Sequence, residues 1–112
     1  MKTLVNFVAN ATQAIATIRV QNRDKVNYVA TILVYGTFGG GTLALFLSPD
    51  NGTTLIPLTG SPGGSAASFN ANGMLQLNCG FPVANTDTLK LYATLSGATS
   101  PNLNVVNYDN NG

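Results

Sequence analysis

The chain has 112 residues and a single cysteine, Cys79, so it is sized for one domain whose core needs no internal disulfide. Charged residues are 8% of it, against about 25% in ordinary soluble domains, with no His, no Glu and a net charge of +1. This composition argues against a nucleic-acid binder, because Lys2, Arg19, Arg23, Lys25 and Lys90 form no basic stripe. It also removes His-based triads and most zinc sites.

Polarity comes instead from Asn, Thr, Ser and Gln. A surface of that kind has little long-range field and weak colloidal repulsion. It suits a protein packed against others, since charge is depleted in interface cores. The plainer reading is an ordinary surface solvated through hydroxyls and amides. No apolar run reaches the length of a membrane-spanning helix. The lone thiol suits a reducing compartment.

Taken in order, Thr3 to Ala9 alternates, with Val5 and Phe7 on one face and Leu4 and Val8 flanking Asn6 on the other. Asn6 interrupts an apolar stretch too short for a signal core, so residues 1–10 read as a strand at a sheet edge or as an arm docking on a neighbour. Asn10 to Gln13 reads as a polar break. Ala14 to Val20 then alternates, with Ala16, Ile18 and Val20 inward and Thr17 and Arg19 outward. A helical face through Ala11, Ala14, Ile15 and Ile18 is the competing reading, and the β-branched residues tip it to strand. Gln21 to Lys25 is a charged turn, either a solvated loop or a polar anchor to an acidic patch on a partner.

Asn27 to Tyr35 is the longest strand candidate. Tyr28, Ala30, Ile32 and Val34 share one face, and Val29, Thr31, Leu33 and Tyr35 the other. Apolar residues on both faces predict a central strand covered twice, by the core and by a loop or another subunit. Gly36 to Gly41 is a glycine corner, and Thr42 to Ser48 is the next strand. Pro49-Asp50-Asn51-Gly52 is a turn in which at least one glycine of the corner or turn should take positive φ. Thr53 to Leu58 continues the hairpin, either at an edge or ending near Pro57, because Pro57 donates no backbone hydrogen bond.

Gly60 to Ser68 is a small-residue loop that should cross between sheets, pinned to the core by Phe69. Asn72-Gly73 precedes a strand over Met74 to Cys79, with Leu75, Leu77 and Cys79 inward, and Phe81-Pro82 ends it. Thr88 to Ser96 is the cleanest alternation, with Leu89, Leu91, Ala93 and Leu95 in and Thr88, Lys90, Tyr92 and Thr94 out. Leu103, Val105 and Tyr108 mark a last strand, and residues 109–112 should fray. Eight or nine short antiparallel strands with this turn spacing predict an all-β, single-domain β-sandwich over residues 1–112, jelly-roll-like.

The segment Gly36-Thr37-Phe38-Gly39-Gly40-Gly41-Thr42-Leu43, followed by Ser48-Pro49-Asp50-Asn51-Gly52-Thr53-Thr54, resembles one that recurs in small structural proteins of tailed-bacteriophage virions. There a "GTFGG" corner precedes a strand and an "SPDGGTT" turn. This chain departs at Asn51, where Gly is usual, and at Leu55, where an aromatic is usual. Size and the all-β reading are most similar to the capsid decoration, or cement, proteins. The resemblance implies a virion component assembled in the host bacterial cytoplasm. It would staple neighbouring major capsid subunits from the outer surface of the shell, as a homo-oligomer, dimer or trimer. Its interface is expected among Leu4, Asn6, Val8, Arg19, Arg23, Lys25 and Tyr92. Both chain ends carry apolar alternation that can pair with a neighbour's sheet edge.

Catalysis, a cofactor and a metal are not expected. Asp24, Asp50, Asp87 and Asp109 are the only carboxylate side chains, and Asp50 and Asp87 sit among turn residues. Gly39-Gly40-Gly41 lacks the lysine of a phosphate loop. Cys79 reads as a core thiol. The rival readings are another virion module, in the tail or a head fibre, and a carbohydrate- or receptor-binding sandwich. The last would want exposed aromatics, and of the four tyrosines only Tyr92 is predicted to face outward.

Overall fold

The computed structural model describes residues 2–18, 28–59, 66–79 and 89–109. Among them it is all-β, with strands β1 (Lys2–Phe7), β2 (Ala11–Thr17), β3 (Tyr28–Thr37), β4 (Thr42–Ser48), β5 (Ile56–Pro57), β6 (Ser68–Phe69), β7 (Gly73–Cys79), β8 (Lys90–Ser96) and β9 (Asn102–Asp109). They form a four-stranded sheet, β1-β9-β3-β7, and a five-stranded sheet, β2-β8-β4-β5, in which β6 also pairs with β4. Every pairing is antiparallel.

The pairing is nested. First meets last (β1 with β9), second meets next to last (β2 with β8), β3 meets β7, and β4 meets β5 and β6. One long hairpin has thus been rolled so that β3 also meets β9 and β4 also meets β8. That is the strand order of a jelly roll, the double-sheet solution that buries one face of each sheet against the other.

The core follows from alternation. Phe7, Ile32, Val34, Leu103 and Val105 point inward from one sheet, and Leu43, Leu45, Leu91, Ala93 and Leu95 from the other, all essentially inaccessible to solvent. Ile18 joins them, and Leu75, Leu77, Leu89 and Phe69 pack partly buried at the margin. Asn107 is a buried polar residue that donates from Nδ2 to Asp109 Oδ2 at 2.9 Å.

The glycine corner and turn adopt left-handed backbone at Gly39, Gly40 and Gly52, as expected. At Gly39 the reason is proximity. Thr99 N–H donates to its carbonyl at 2.9 Å, and a Cβ there would collide with the Thr99 backbone. The motif that carries the phage resemblance is therefore explained locally by close backbone approach between the β3–β4 corner and the β8–β9 loop.

Several sequence expectations are corrected. Asn10 to Gln13 is not a break: β2 begins at Ala11, with the Thr12 and Thr94 hydroxyls 2.9 Å apart across the pair. A register shift between Ala14 and Ala16 lets Ile15 face inward beside Ala16, a β-bulge that alternation could not foresee. The second half of the Pro49 hairpin is strand only at Ile56–Pro57, because residues 50–54 stay in the turn. The N-terminal segment is an edge strand paired along its length and not an arm. β9 lies between β1 and β3, so only the N-terminal strand, of the two chain ends, keeps an edge to offer. The Gly60–Ser68 segment does not carry the chain between sheets, because β5 and β6 both pair with β4; the change of sheet comes between Phe69 and Gly73. The expectations for Asn27, for Phe81-Pro82, Asp87 and Thr88, for residues 110–112 and for the Cys79 side chain fall outside the described residues.

Candidate functional site

The outer face of the four-stranded sheet is the most unusual surface among the described residues. Registry builds it in rows perpendicular to the strands. Leu4 pairs with Val106, Val106 with Leu33, and Leu33 with Met74, so four apolar side chains cross the sheet from edge to edge. One row is polar, Lys2–Tyr108–Thr31–Gln76, and on the other side lies Asn6–Asn104–Tyr35. Period-2 geometry puts all of these on one face, opposite the core.

Among the described residues, five of the seven exposed large apolar side chains lie here: Leu4 at 55%, Val29 at 43%, Tyr35 at 43%, Met74 at 59% and Tyr108 at 44%. Val106, flanked in the row by Leu4 and Leu33, is only 3% exposed yet stands outside the core cluster. The expected second cover of the long strand leaves Tyr35 two-fifths exposed. Lys2 is the sole ionised side chain of these rows, and its ammonium lies 5.8 Å from the Tyr108 ring centroid. A cation–π contact at an exposed site of this kind is worth about 0.5–1 kcal/mol.

Asn6 closes one corner of the face. Its Nδ2 donates to Asn102 Oδ1 and Asn104 Oδ1, each at 3.0 Å, and to the Leu103 carbonyl at 3.3 Å. The side chain thus spends its donors on fixing β1 against β9. Below it, Asn10 exchanges two hydrogen bonds with the Ala98 backbone, which fastens the β1–β2 turn to the β8–β9 loop.

The residues expected at an interface do not gather on one surface. Leu4 and Asn6 lie on this face. Val8 is exposed in the turn after β1. Tyr92 lies on the outer face of the other sheet, opposite Phe46 and Ala14, half-buried beneath the Pro49 turn. Arg19, Arg23 and Lys25 fall outside the described residues. The expectation that Tyr92 alone of the tyrosines faces outward is overturned by Tyr35 and Tyr108, each more than two-fifths exposed. Met74, Leu33, Val106, Tyr35 and Tyr108 were missed as surface candidates. Period-2 reading had Leu33 and Tyr35 on a second apolar face, but only strand order lines that face up with Leu4 and Met74.

The opposite face is built around a turn. Ser48 Oγ donates to Asp50 Oδ1 at 2.9 Å and accepts from Gly52 N–H at 2.8 Å, while Asp50 Oδ1 accepts from Thr54 N–H at 2.7 Å. The Thr54 hydroxyl and then its N–H hold the Asp50 carboxyl below its ordinary value against opposing desolvation, and Ser48 adds a smaller contribution in the same direction. Asp50 acts here on its own loop, as turn aspartates do. Among the described residues no group of three or more His, Cys, Asp or Glu is placed to hold a metal ion. Asp50 lies in the turn after β4 of the five-stranded sheet and Asp109 ends β9 of the four-stranded sheet, while Asp24 and Asp87 lie outside the described residues. No helix among the described residues is long and apolar enough to cross a membrane.

No protein-family model matches the chain, and no curated protein matches it. The functional reading therefore rests on this face and on the Gly36–Thr54 resemblance.

Proposed function

We propose that this protein is a bacteriophage capsid decoration protein that lays the outer face of its four-stranded sheet on the shell and staples neighbouring major capsid subunits. The observation that carries the reading is the edge-to-edge row Leu4–Val106–Leu33–Met74, bordered by amides, hydroxyls and two tyrosines and by one charge. Such a face matches the anatomy of an interface core: apolar and aromatic, depleted of charge, with hydrogen-bonding groups at its rim. The Gly36–Thr54 resemblance supplies the virion context. The role is adhesive, and the Asp50 carboxylate serves its own turn.

The mechanism is mass action. A protein that binds only across assembled capsomers stabilises the assembled state by an amount set by its concentration relative to Kd. Shells prepared with and without the protein should be compared over a temperature ramp by light scattering and release of packaged genome. Decorated shells should rupture at higher temperature. Equal rupture temperatures with the protein bound would remove the stapling role.

A second reading has one observation in its favour. Tyr35 and Tyr108 stand exposed beside Asn104, Thr31 and Gln76, a mixture of rings and amides that suits a sugar. Binding to host-surface glycans, with no binding to shells, would make the protein a receptor-binding sandwich.

A further inference from the structure

The jelly roll leaves four sheet edges, and the sequence treats them unequally. An unprotected edge presents free N–H and C=O groups to any strand that can reach it, and proteins blunt such edges with prolines, bulges, short strands or charges. β5 is two residues long and contains Pro57. β2 carries the bulge at Ala14/Ala16. β1 has neither device. Its six residues pair with β9 without a register break, contain no proline, and carry one charge, Lys2, at one end. β7 is similarly plain, but it runs directly into residues 80–88, outside the described region. Among the described residues no strand pairs with the outer edge of β1, and one side chain reaches its backbone: Gln13 Nε2 donates to the Asn6 carbonyl at 3.4 Å.

We infer that β1 pairs antiparallel with β1 of a second copy across a two-fold axis, joining two four-stranded sheets into one eight-stranded sheet. Side-chain alternation and charge fix the register. To keep apolar residues on the same side in both copies, each residue must face one of the same parity. Setting Leu4 against its own symmetry mate meets this condition and opposes Thr3 to Val5 and Lys2 to Asn6. The two lysines then lie at opposite ends of the junction, so no like charges meet, and each faces an amide. Asn6 has committed its Nδ2 within its own chain and offers Oδ1 as an acceptor to that ammonium.

The consequence for the outer face is continuity. Met74–Leu33–Val106–Leu4 in one copy runs directly into Leu4–Val106–Leu33–Met74 of the other. A stripe four residues wide becomes one eight residues wide. The second copy is favoured over a foreign strand because this edge is complementary to itself in charge, in alternation and in the apolar row that meets at the axis. The pairing stands independently of shell binding.

The test uses the full chain in sedimentation velocity from low to high micromolar concentration. A dimer is expected. Leu4→Lys places like charges at the axis and should raise the dimer dissociation constant about tenfold or more. Met74→Lys, at the far end of the same row, should leave it unchanged. A second test does not depend on tolerance of lysine. In a Cys79→Ser background, Leu4→Cys should form an intermolecular disulfide when a mild thiol oxidant such as diamide takes up the two electrons and two protons, and Met74→Cys should not. Directly opposed antiparallel residues have Cα atoms about 4.5–5.5 Å apart, within the span a disulfide bridges. A chain that stays monomeric overturns the proposal, and so does a Leu4→Cys chain that fails to cross-link. Equal loss of the dimer in Leu4→Lys and Met74→Lys would show stacking face to face instead. Protection of β1 amides from exchange only when shells are added would give the edge to a foreign strand.

Discussion

Gly52 lies against the hydroxyl of Tyr92: a Cβ added at Gly52 would come within 2.5 Å of the phenolic oxygen. The glycine also has φ of +100°, where other residues are strained. The Pro49 turn can therefore fold over the outer face of the five-stranded sheet only with glycine here. Gly52→Val should destabilise the protein by about 1–3 kcal/mol, the usual scale for such backbone strain. Urea denaturation measures it, and an unchanged midpoint would show that the turn does not rest on Tyr92.

Leu91 is fully buried in β8, between β2 and β4, and belongs to the core cluster. Leu91→Ala should cost about 2–5 kcal/mol. Leu75→Ala, at the partly buried margin, should cost less. Paired thermal melts decide the order, and the reverse order would place the centre of the core elsewhere.

Asp50 gives a prediction in pH. Its folded pKa is depressed below its ordinary 3.8 by the Thr54 hydroxyl and N–H and by Ser48. A depressed acid contributes stability that is complete above the ordinary pKa and is lost as pH falls through the folded one. The turn should thus hold at pH 5 and loosen well below pH 3.8. Asp50→Asn should remove that share of the acid dependence. Carbon NMR titration of the Asp50 carboxyl should give a midpoint below that of a free aspartate, and a midpoint at or above it would refute the assignment.

Asn6 is expected to be a register pin more than a contact residue. Its three acceptors are exposed or half-buried and can turn to water when it is lost, so Asn6→Ala should cost only about 0.5–1.5 kcal/mol. The diagnostic readout is local: amide exchange should quicken along residues 3–7, paired with β9, and stay unchanged in β8. Uniform acceleration would mean a global effect instead.

Shell binding through an apolar row should be insensitive to salt. Surface charges are screened within about 8–10 Å at moderate ionic strength, and among the described residues of its rows this face offers only Lys2 to screen. Raising salt from dilute buffer to molar levels should change binding little, whereas Met74→Asp should weaken it markedly. A steep loss with salt would assign binding to the charged segment around Arg23 and Lys25.

The fold was legible because alternation is a local signal. Thr88 to Ser96 announced which residues point inward, and the structure agrees at Leu91, Ala93 and Leu95. Turn chemistry was equally local, as Ser48, Asp50 and Gly52 show. What could not be read was relation between distant strands. Ile15 turns inward only because a bulge forms against β8, and Tyr35 and Tyr108 become one surface only because β9 lies beside β3. Leu4 and Met74, seventy residues apart in the chain, share a row through two intervening strands. Period-2 reading assigns each strand two faces, but it cannot say which strands will stand together.

The nested strand order has a consequence for synthesis. A chain leaving the ribosome delivers β1 first, yet its partner β9 comes last, and β2 must wait for β8. Until residues 102–109 emerge, β1 has no neighbour and the four-stranded sheet lacks the strand that lies between β1 and β3. Such pairings close the longest loops before any contact rewards them, which slows folding and leaves β-forming segments bare in the meantime. The nascent chain is therefore most vulnerable to association with its siblings on the same message before β9 emerges, and the sparing use of charge offers little to keep them apart.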